Sequence, residues 1–101
     1  MNYSIDFHPK VKFEAREAYL WYESQSDGLG RRFMQELETG IELITEAPLI
    51  WPKFRRIYHR YLLTKFPFSI YYSVEDSSLY VYAVAHTSRK PYYWKERKQG
   101  A

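Results

Sequence analysis

The run His86-Thr87-Ser88-Arg89-Lys90-Pro91-Tyr92-Tyr93-Trp94 brings an imidazole, two cations and three aromatic rings into one short stretch of chain. This combination suits nucleic acid, because Lys and Arg neutralise phosphates and flat rings stack on unpaired bases. Near neutral pH an imidazole such as His86 can act as general base or acid. A guanidinium such as Arg89 can stabilise a phosphorane-like transition state, and a phenol such as Tyr92 can stack on a base or relay a proton. Metal-free RNA cleavage needs only such groups, which activate a 2′-hydroxyl for attack on the adjacent phosphate. The competing reading of His86 is a hydrogen-bonded residue that finishes a strand.

Further cations precede this run. Arg55, Arg56 and Arg60 cluster, and Lys65 follows at the end of the same predicted strand. Residues 1–52 carry 5 Lys and Arg against 9 Asp and Glu, a net charge of −4, whereas residues 53–101 carry 10 against 3, a net charge of +7. The overall charge of +3 therefore conceals a dipolar molecule with one anion-seeking half. The basic residues suit a phosphate backbone or an acidic protein. A solvated basic edge that discourages sheet-to-sheet aggregation would use the same residues. Of the aromatic pool, Tyr71, Tyr72, Tyr80 and Tyr82 belong to predicted strands, where core and cross-strand packing is the ordinary role. Tyr92, Tyr93 and Trp94 lie beyond the sheet and are the better binding candidates.

Other chemistries are excluded or unsupported. The chain has no cysteine, so a disulfide scaffold, a Cys-ligated metal and a thiol nucleophile are ruled out. Glu14, Glu17 and Glu23 have no histidine partner at metal-ligand spacing, and His8, His59 and His86 are too far apart in sequence to be read as a ligand set. There is no glycine-rich phosphate loop, and no cofactor is expected. Residues 1–7 lack a basic segment followed by an apolar one, and no run approaches the length of a membrane span, which leads us to expect a soluble cytoplasmic protein with no membrane partner.

The elements that must position these residues follow from periodicity. A length of 101 residues fits a single domain, and 46% apolar with 20% aromatic content can fill its core. Tyr3, Ile5 and Phe7 alternate with polar neighbours, predicting a first strand with one buried face. Val11, Ala15, Ala18 and Tyr22 predict an amphipathic helix from Pro9 to about Ser26. Phe33, Leu37, Ile41 and Ile44 predict a second from about Leu29 to Glu46, broken from the first by Asp27-Gly28 and stopped by Pro48. This antiparallel hairpin needs an apolar partner, which the second half supplies as a three-stranded antiparallel meander: Tyr58–Lys65, Phe68–Glu75 and Leu79–Ala85. In the last strand, alternation puts Tyr80, Tyr82, Val84 and His86 on one face. Which face of the sheet the helices cover is left open. Residues 91–98 form a short terminal helix or a tail that orders on a partner.

The order strand, two helices, meander, together with Arg55-Arg56, then Phe66-Pro67-Phe68-Ser69-Ile70-Tyr71-Tyr72, then His86, Arg89 and Pro91 in a His-x-x-Arg-x-Pro motif, resembles the RelE/ParE toxins of bacterial type II toxin–antitoxin systems. The resemblance covers nearly the whole chain. It implies a small α+β fold, a cognate antitoxin that wraps the toxin, autoregulation through that complex, a higher-order toxin–antitoxin oligomer and a role in plasmid stabilisation. Two activities divide the family. RelE-like members cut messenger RNA on the ribosome, and for that branch the resemblance implies a metal-independent site of Arg60, Lys65, His86, Arg89 and Tyr92. ParE-like members inhibit DNA gyrase and are not nucleases, and this chain lacks the denser lysine set of the ribosome-dependent nucleases, which favours ParE. Arg55, Arg56, Arg60, Arg89, Lys90, Tyr93 and Trp94 are then the candidates for contact with target or antitoxin. A remnant that binds nucleic acid without toxicity is the third reading.

Overall fold

The computed structural model describes residues 3–99, arranged as two helices packed on a five-stranded mixed sheet. In chain order the elements are β1 (Ser4–Phe7), α1 (Val11–Gln25), α2 (Leu29–Glu46), β2 (Lys53–Phe54), β3 (Tyr58–Leu62), β4 (Phe68–Glu75) and β5 (Ser78–His86). The strands lie in the order β1-β5-β4-β3-β2. β1 runs parallel to β5, and every other pair is antiparallel. The expected α+β class holds, with the meander extended at both edges. β2 was missed because it is only two residues long. The Tyr58–Lys65 strand is shorter than expected and ends at Leu62.

α1 buries Val11, Ala15, Ala18 and Tyr22, the stripe its spacing predicts. α2 buries Phe33, Leu37 and Ile44, with Ile41 partly covered. The connection is held by Glu23, whose two carboxylate oxygens accept the Gly28 and Gly30 N–H groups at 2.9 Å each. Those donors stand at the start of α2, where no intrahelical partner exists, so Glu23 replaces the missing cap. These backbone hydrogen bonds hold the Glu23 carboxyl below its ordinary pKa. Gly28 adopts φ 85°, the left-handed conformation that glycine enters without a Cβ penalty.

Both faces of the sheet are covered. Helix-side residues Phe68, Ile70, Tyr72, Leu79, Val81 and Val84 join the helical stripes in the main core. On the other face Tyr58, Tyr71, Tyr80, Tyr82, Ala83 and Ala85 form a second cluster around Trp94. The phase of β5 changes partway along. Tyr71 pairs with Ala83 but Tyr72 pairs with Val81, which leaves Tyr82 as the extra residue of a β-bulge. The alternation expected from Tyr80 to His86 is therefore broken: Tyr80 and Tyr82 face the second cluster, and Val84 has crossed to the helix side. β1 also differs from expectation, since Ile5 is half-buried while Phe7 is exposed at the sheet's edge.

The segment after β5 is neither helix nor free tail. Successive N–H groups bond three residues back, Tyr93 to Lys90, Lys95 to Tyr92 and Arg97 to Trp94, giving a string of turns that lies on the second cluster. Trp94 is 1% exposed there.

Helix α2 leaves no room beside α1. A Cβ on Gly30 would lie 2.6 Å from the Tyr19 carbonyl oxygen, which is backbone and cannot swing aside. Helix propensity favours alanine by about 1 kcal/mol, whereas overpacking costs about 1–3 kcal/mol, and a rigid backbone neighbour places this site at the upper end. Gly30→Ala is therefore expected to lower unfolding stability by about 1–2 kcal/mol in urea titration; a stabilised variant would contradict the close approach.

Candidate functional site

The turn after β5 and the open face of the sheet enclose a recess of about 150 Å³. Its floor is built from small residues, since Ser69 of β4 lies directly opposite Ala85 of β5. Larger side chains at either position would fill it. Tyr71, Tyr92 and Trp94 contribute aromatic walls, and Arg60, Arg89 and Lys90 bring cations to the same space. A small floor, ring walls and a cationic rim can hold a flat group or an anion.

Each wall is fixed by its neighbours. The Trp94 ring lies 4.8 Å from the Tyr58 ring, 4.9 Å from Tyr71 and 4.8 Å from Tyr92, centroid to centroid. Its indole N–H is buried without a hydrogen-bond partner. Tyr92 occupies φ 65°, a left-handed conformation costly for a residue with a Cβ, and its hydroxyl lies 3.3 Å from that of Tyr58. The hairpin tip between β2 and β3 also departs from ordinary backbone: Arg55 and Arg56 have φ 53° and 72°. That turn brings the Arg55 guanidinium over the Tyr92 ring at 4.6 Å. Two strained loops thus meet ring to cation and stiffen one side of the recess.

The sequence candidates separate accordingly. Arg60, His86, Arg89, Lys90, Tyr92, Tyr93 and Trp94 come together at the recess, and Arg55 supports it from outside. Arg56 is exposed at the hairpin tip. Lys65 lies elsewhere, in an open cleft of about 610 Å³ beside Leu29, Arg32, Gln35 and Thr39 of α2. Its backbone N–H is held by Glu36 at 2.9 Å, and Thr64 N–H bonds to the same carboxylate. Trp94, expected on a contact surface, shapes the recess as a buried wall.

His86 has an engaged ring. Its Nδ1 accepts the Ser88 N–H at 3.0 Å, which places the proton of the neutral imidazole on Nε2. Such a ring can donate through Nε2 but is not set up to abstract a proton there. Its edge meets Phe68 at 5.1 Å, and it also borders a hollow of about 240 Å³ with Ala18, Trp21 and Tyr22 of α1. His8 and His59 are structural. His8 Nδ1 accepts the Lys10 N–H at 3.1 Å, and burial lowers its pKa, with help from Arg97. His59 Nδ1 lies 2.8 Å from the Trp51 carbonyl. Among the described residues no group of three or more His, Cys, Asp or Glu is placed to hold a metal.

Sequence reasoning missed Glu14, which it set aside as a metal ligand for want of a histidine partner. Its Oε1 accepts the Val84 N–H at 3.0 Å, and its Oε2 accepts the Tyr93 hydroxyl at 2.5 Å and pairs with Arg97 at 2.9 Å. No local signal marks a contact that spans 70 and more residues of chain. The small residues at 69 and 85 were also unmarked, because only the register of β4 on β5 brings them together.

Two solved structures share this architecture. The chain superposes on one from the chromosomal ParDE toxin–antitoxin system of P. aeruginosa with TM-score 0.71 and 13% identity, covering 83% of this chain and 95% of that one. It superposes on a mutant of the E. coli toxin RelE in the free state with TM-score 0.62 and 17% identity, covering 87% and 86%. No curated protein sequence matches the chain. Residues 5–91 match the family described as ParE toxin of type II toxin-antitoxin system, parDE. The chain belongs to that family and is thus a toxin of the RelE/ParE superfamily.

Burial raises the pKa of the phenols of Tyr22, Tyr72, Tyr80 and Tyr93, and of Tyr58, which burial and the Tyr92 hydroxyl push up to about 12. A raised folded-state pKa means that the stabilisation is complete below the unfolded value of 10.0 and is lost as pH climbs from there through the folded value. Phenolate absorbance is expected to rise in two stages. The phenols of Tyr22, Tyr58, Tyr72, Tyr80 and Tyr93 should supply the later stage, together with loss of circular dichroism, as pH climbs well above 10.0. Complete tyrosine ionisation in a still-folded protein would contradict the packing of these rings on both faces of the sheet.

Proposed function

We propose that this toxin inhibits DNA gyrase, that a cognate antitoxin neutralises it, and that both act in the cytoplasm. The observation that carries the gyrase reading is the arrangement around His86. In an RNase of the kind the sequence allows, Lys65 and a free imidazole nitrogen would converge with Arg60, Arg89 and Tyr92. Here Lys65 lies in a separate cleft and the Nδ1 of His86 is occupied by Ser88. What remains at the recess is a binding rim: Arg60, Arg89 and Lys90 are exposed there, and Arg55 and Arg56 extend the basic surface along the hairpin. These residues suit contact with a large anionic target more than general-base chemistry. The family match over residues 5–91 supports the same branch.

The antitoxin reading is supported by α1. Phe13, Leu20 and Trp21 are 57%, 50% and 60% exposed, and residues seven apart lie on one helix face. Trp21 also borders the hollow that His86 shares, so a segment lying along this face reaches the edge of the recess. The antitoxin therefore acts by covering α1 and crowding the rim.

The alternative is a RelE-like messenger RNA endonuclease. The gathering of Arg60, Arg89 and Tyr92 around one small recess favours it, with Nε2–H of His86 as the proton donor. The two readings part in a direct assay. Purified toxin is expected to accumulate cleaved gyrase–DNA complexes and to leave message intact in a bacterial translation reaction. Arg89→Ala should reduce complex formation at least tenfold while remaining folded. New message ends at ribosome-occupied codons, without gyrase complexes, would establish the nuclease instead. Separately, Trp21→Ala is expected to weaken antitoxin capture by roughly tenfold, the scale of a large aromatic contact, and to preserve growth arrest. Unchanged capture would place the antitoxin elsewhere.

A further inference from the structure

Arg89 is a rim cation that packs on an aromatic ring, and among the described residues no carboxylate pairs with it. Its guanidinium carbon stands 3.9 Å from the centroid of the Tyr93 ring, within close cation–π range. Its backbone N–H bonds to the His86 carbonyl at 3.0 Å, which fixes the main chain but leaves a long side chain free to rotate. The direction of the guanidinium therefore depends on where the Tyr93 ring is held.

Tyr93 is held by Glu14. The phenol donates to Oε2 at 2.5 Å, and the same oxygen pairs with Arg97 at 2.9 Å. Arg97 also lies over the Tyr93 ring, at 5.2 Å, and donates to the Tyr82 carbonyl at 3.0 Å. The other oxygen of Glu14 accepts the Val84 N–H. β1 pairs with β5 only as far as Phe7 opposite Val81, so beyond that point the outer edge of β5 has lost its partner strand. Glu14 occupies the place a continued β1 would have taken, and it ties helix α1, strand β5 and the terminal turns at one carboxylate. Among the described residues, its contact with Arg97 is the one ion pair, and both side chains are 13% exposed. A carboxylate so placed also offsets the repulsion between Arg89 and Arg97 across the shared ring.

We infer that Glu14 is a positioning residue for Arg89: through Tyr93 it sets the direction of a rim guanidinium that it does not itself touch. The inference rests on the reading of Arg89 as a target-contacting cation, and its test separates the two. In the folded full-length protein, the side-chain NMR signals of Arg89 are expected to be displaced upfield by the ring current of Tyr93. Glu14→Ala should return them to the position of an exposed arginine. Should Glu14→Ala fail to fold, Tyr93→Phe removes only the hydroxyl and keeps the ring, so it cuts the tether while leaving the platform. It should partly collapse the same displacement. Wild-type Arg89 signals in either folded variant would overturn the proposal.

Growth arrest on induction reports the underlying reading, whatever the target. Arg89→Ala should weaken arrest roughly tenfold, Tyr93→Phe should weaken it less, and the double variant should be no worse than Arg89→Ala alone. Undiminished arrest by Arg89→Ala would defeat the rim reading and leave the NMR result standing. Arrest in which the two substitutions act additively would show Tyr93 working by a route other than Arg89, and would overturn the positioning role.

Discussion

Strand β5 is buried on both faces along Leu79–Ala85, and two helices can cover only one of them. The other face must be closed by whatever chain remains, which is the stretch beyond His86. The aromatic content of the terminal segment follows from this constraint. Trp94 plugs a cluster of tyrosines, and the turns around it leave Arg89 and Lys90 outside. Ordering such a segment costs roughly 1–2 kcal/mol per residue, whereas one buried indole of roughly 200 Å² returns on the order of 5 kcal/mol. Trp94 alone is therefore insufficient to hold the terminal turns in place. The bonds from Glu14 to Tyr93 and Arg97 add charge-assisted contacts worth about 1.5–3 kcal/mol each, so the segment is fastened at both its middle and its end.

The bulge at Tyr82 serves the same constraint. Without the extra residue, strict alternation would carry Ala85 to the helix face and take the small floor of the recess with it. With it, Tyr80 and Tyr82 pack under Trp94, Val84 returns to the main core, and Ala85 sits opposite Ser69 where space is needed. The recess is a product of register: two small residues meet because β4 and β5 pair as they do, and the terminal turns then roof them.

This explains which parts could be read from the chain. Helix α2 matches its predicted bounds because the stripe of Phe33, Leu37 and Ile44 and the stop at Pro48 are local signals. The cationic and aromatic candidates after β5 were visible for the same reason, being consecutive. Tertiary placement was not visible. Lys65 looks like a neighbour of Arg60 along the strand, yet the strand ends at Leu62 and the turn carries Lys65 to the α2 side. Glu14 reads as one more polar residue on an amphipathic helix, because its partners at Val84, Tyr93 and Arg97 are distant in sequence. Trp94 looked like a binding residue because nothing in the sequence says that the sheet has a second face to be closed.

The split in charge acquires a structural meaning once the layers are placed. The acidic residues of the first half belong mostly to α1 and α2, and the basic ones line the sheet edge, the hairpin tip and the terminal turns. Glu14 is where the two meet, an acidic group from the helical layer buried against the basic one. A carboxylate on that layer draws Arg97 inward to the fold, while Arg89, anchored only by a ring, keeps its charge turned toward solvent. The terminal segment thus divides its cations between holding itself down and presenting a rim. A surface built this way tolerates change at the exposed cations, which alter the rim without loosening the fold. Glu14 and Trp94, by contrast, fasten the segment itself, so change there reaches the fold as well as the rim.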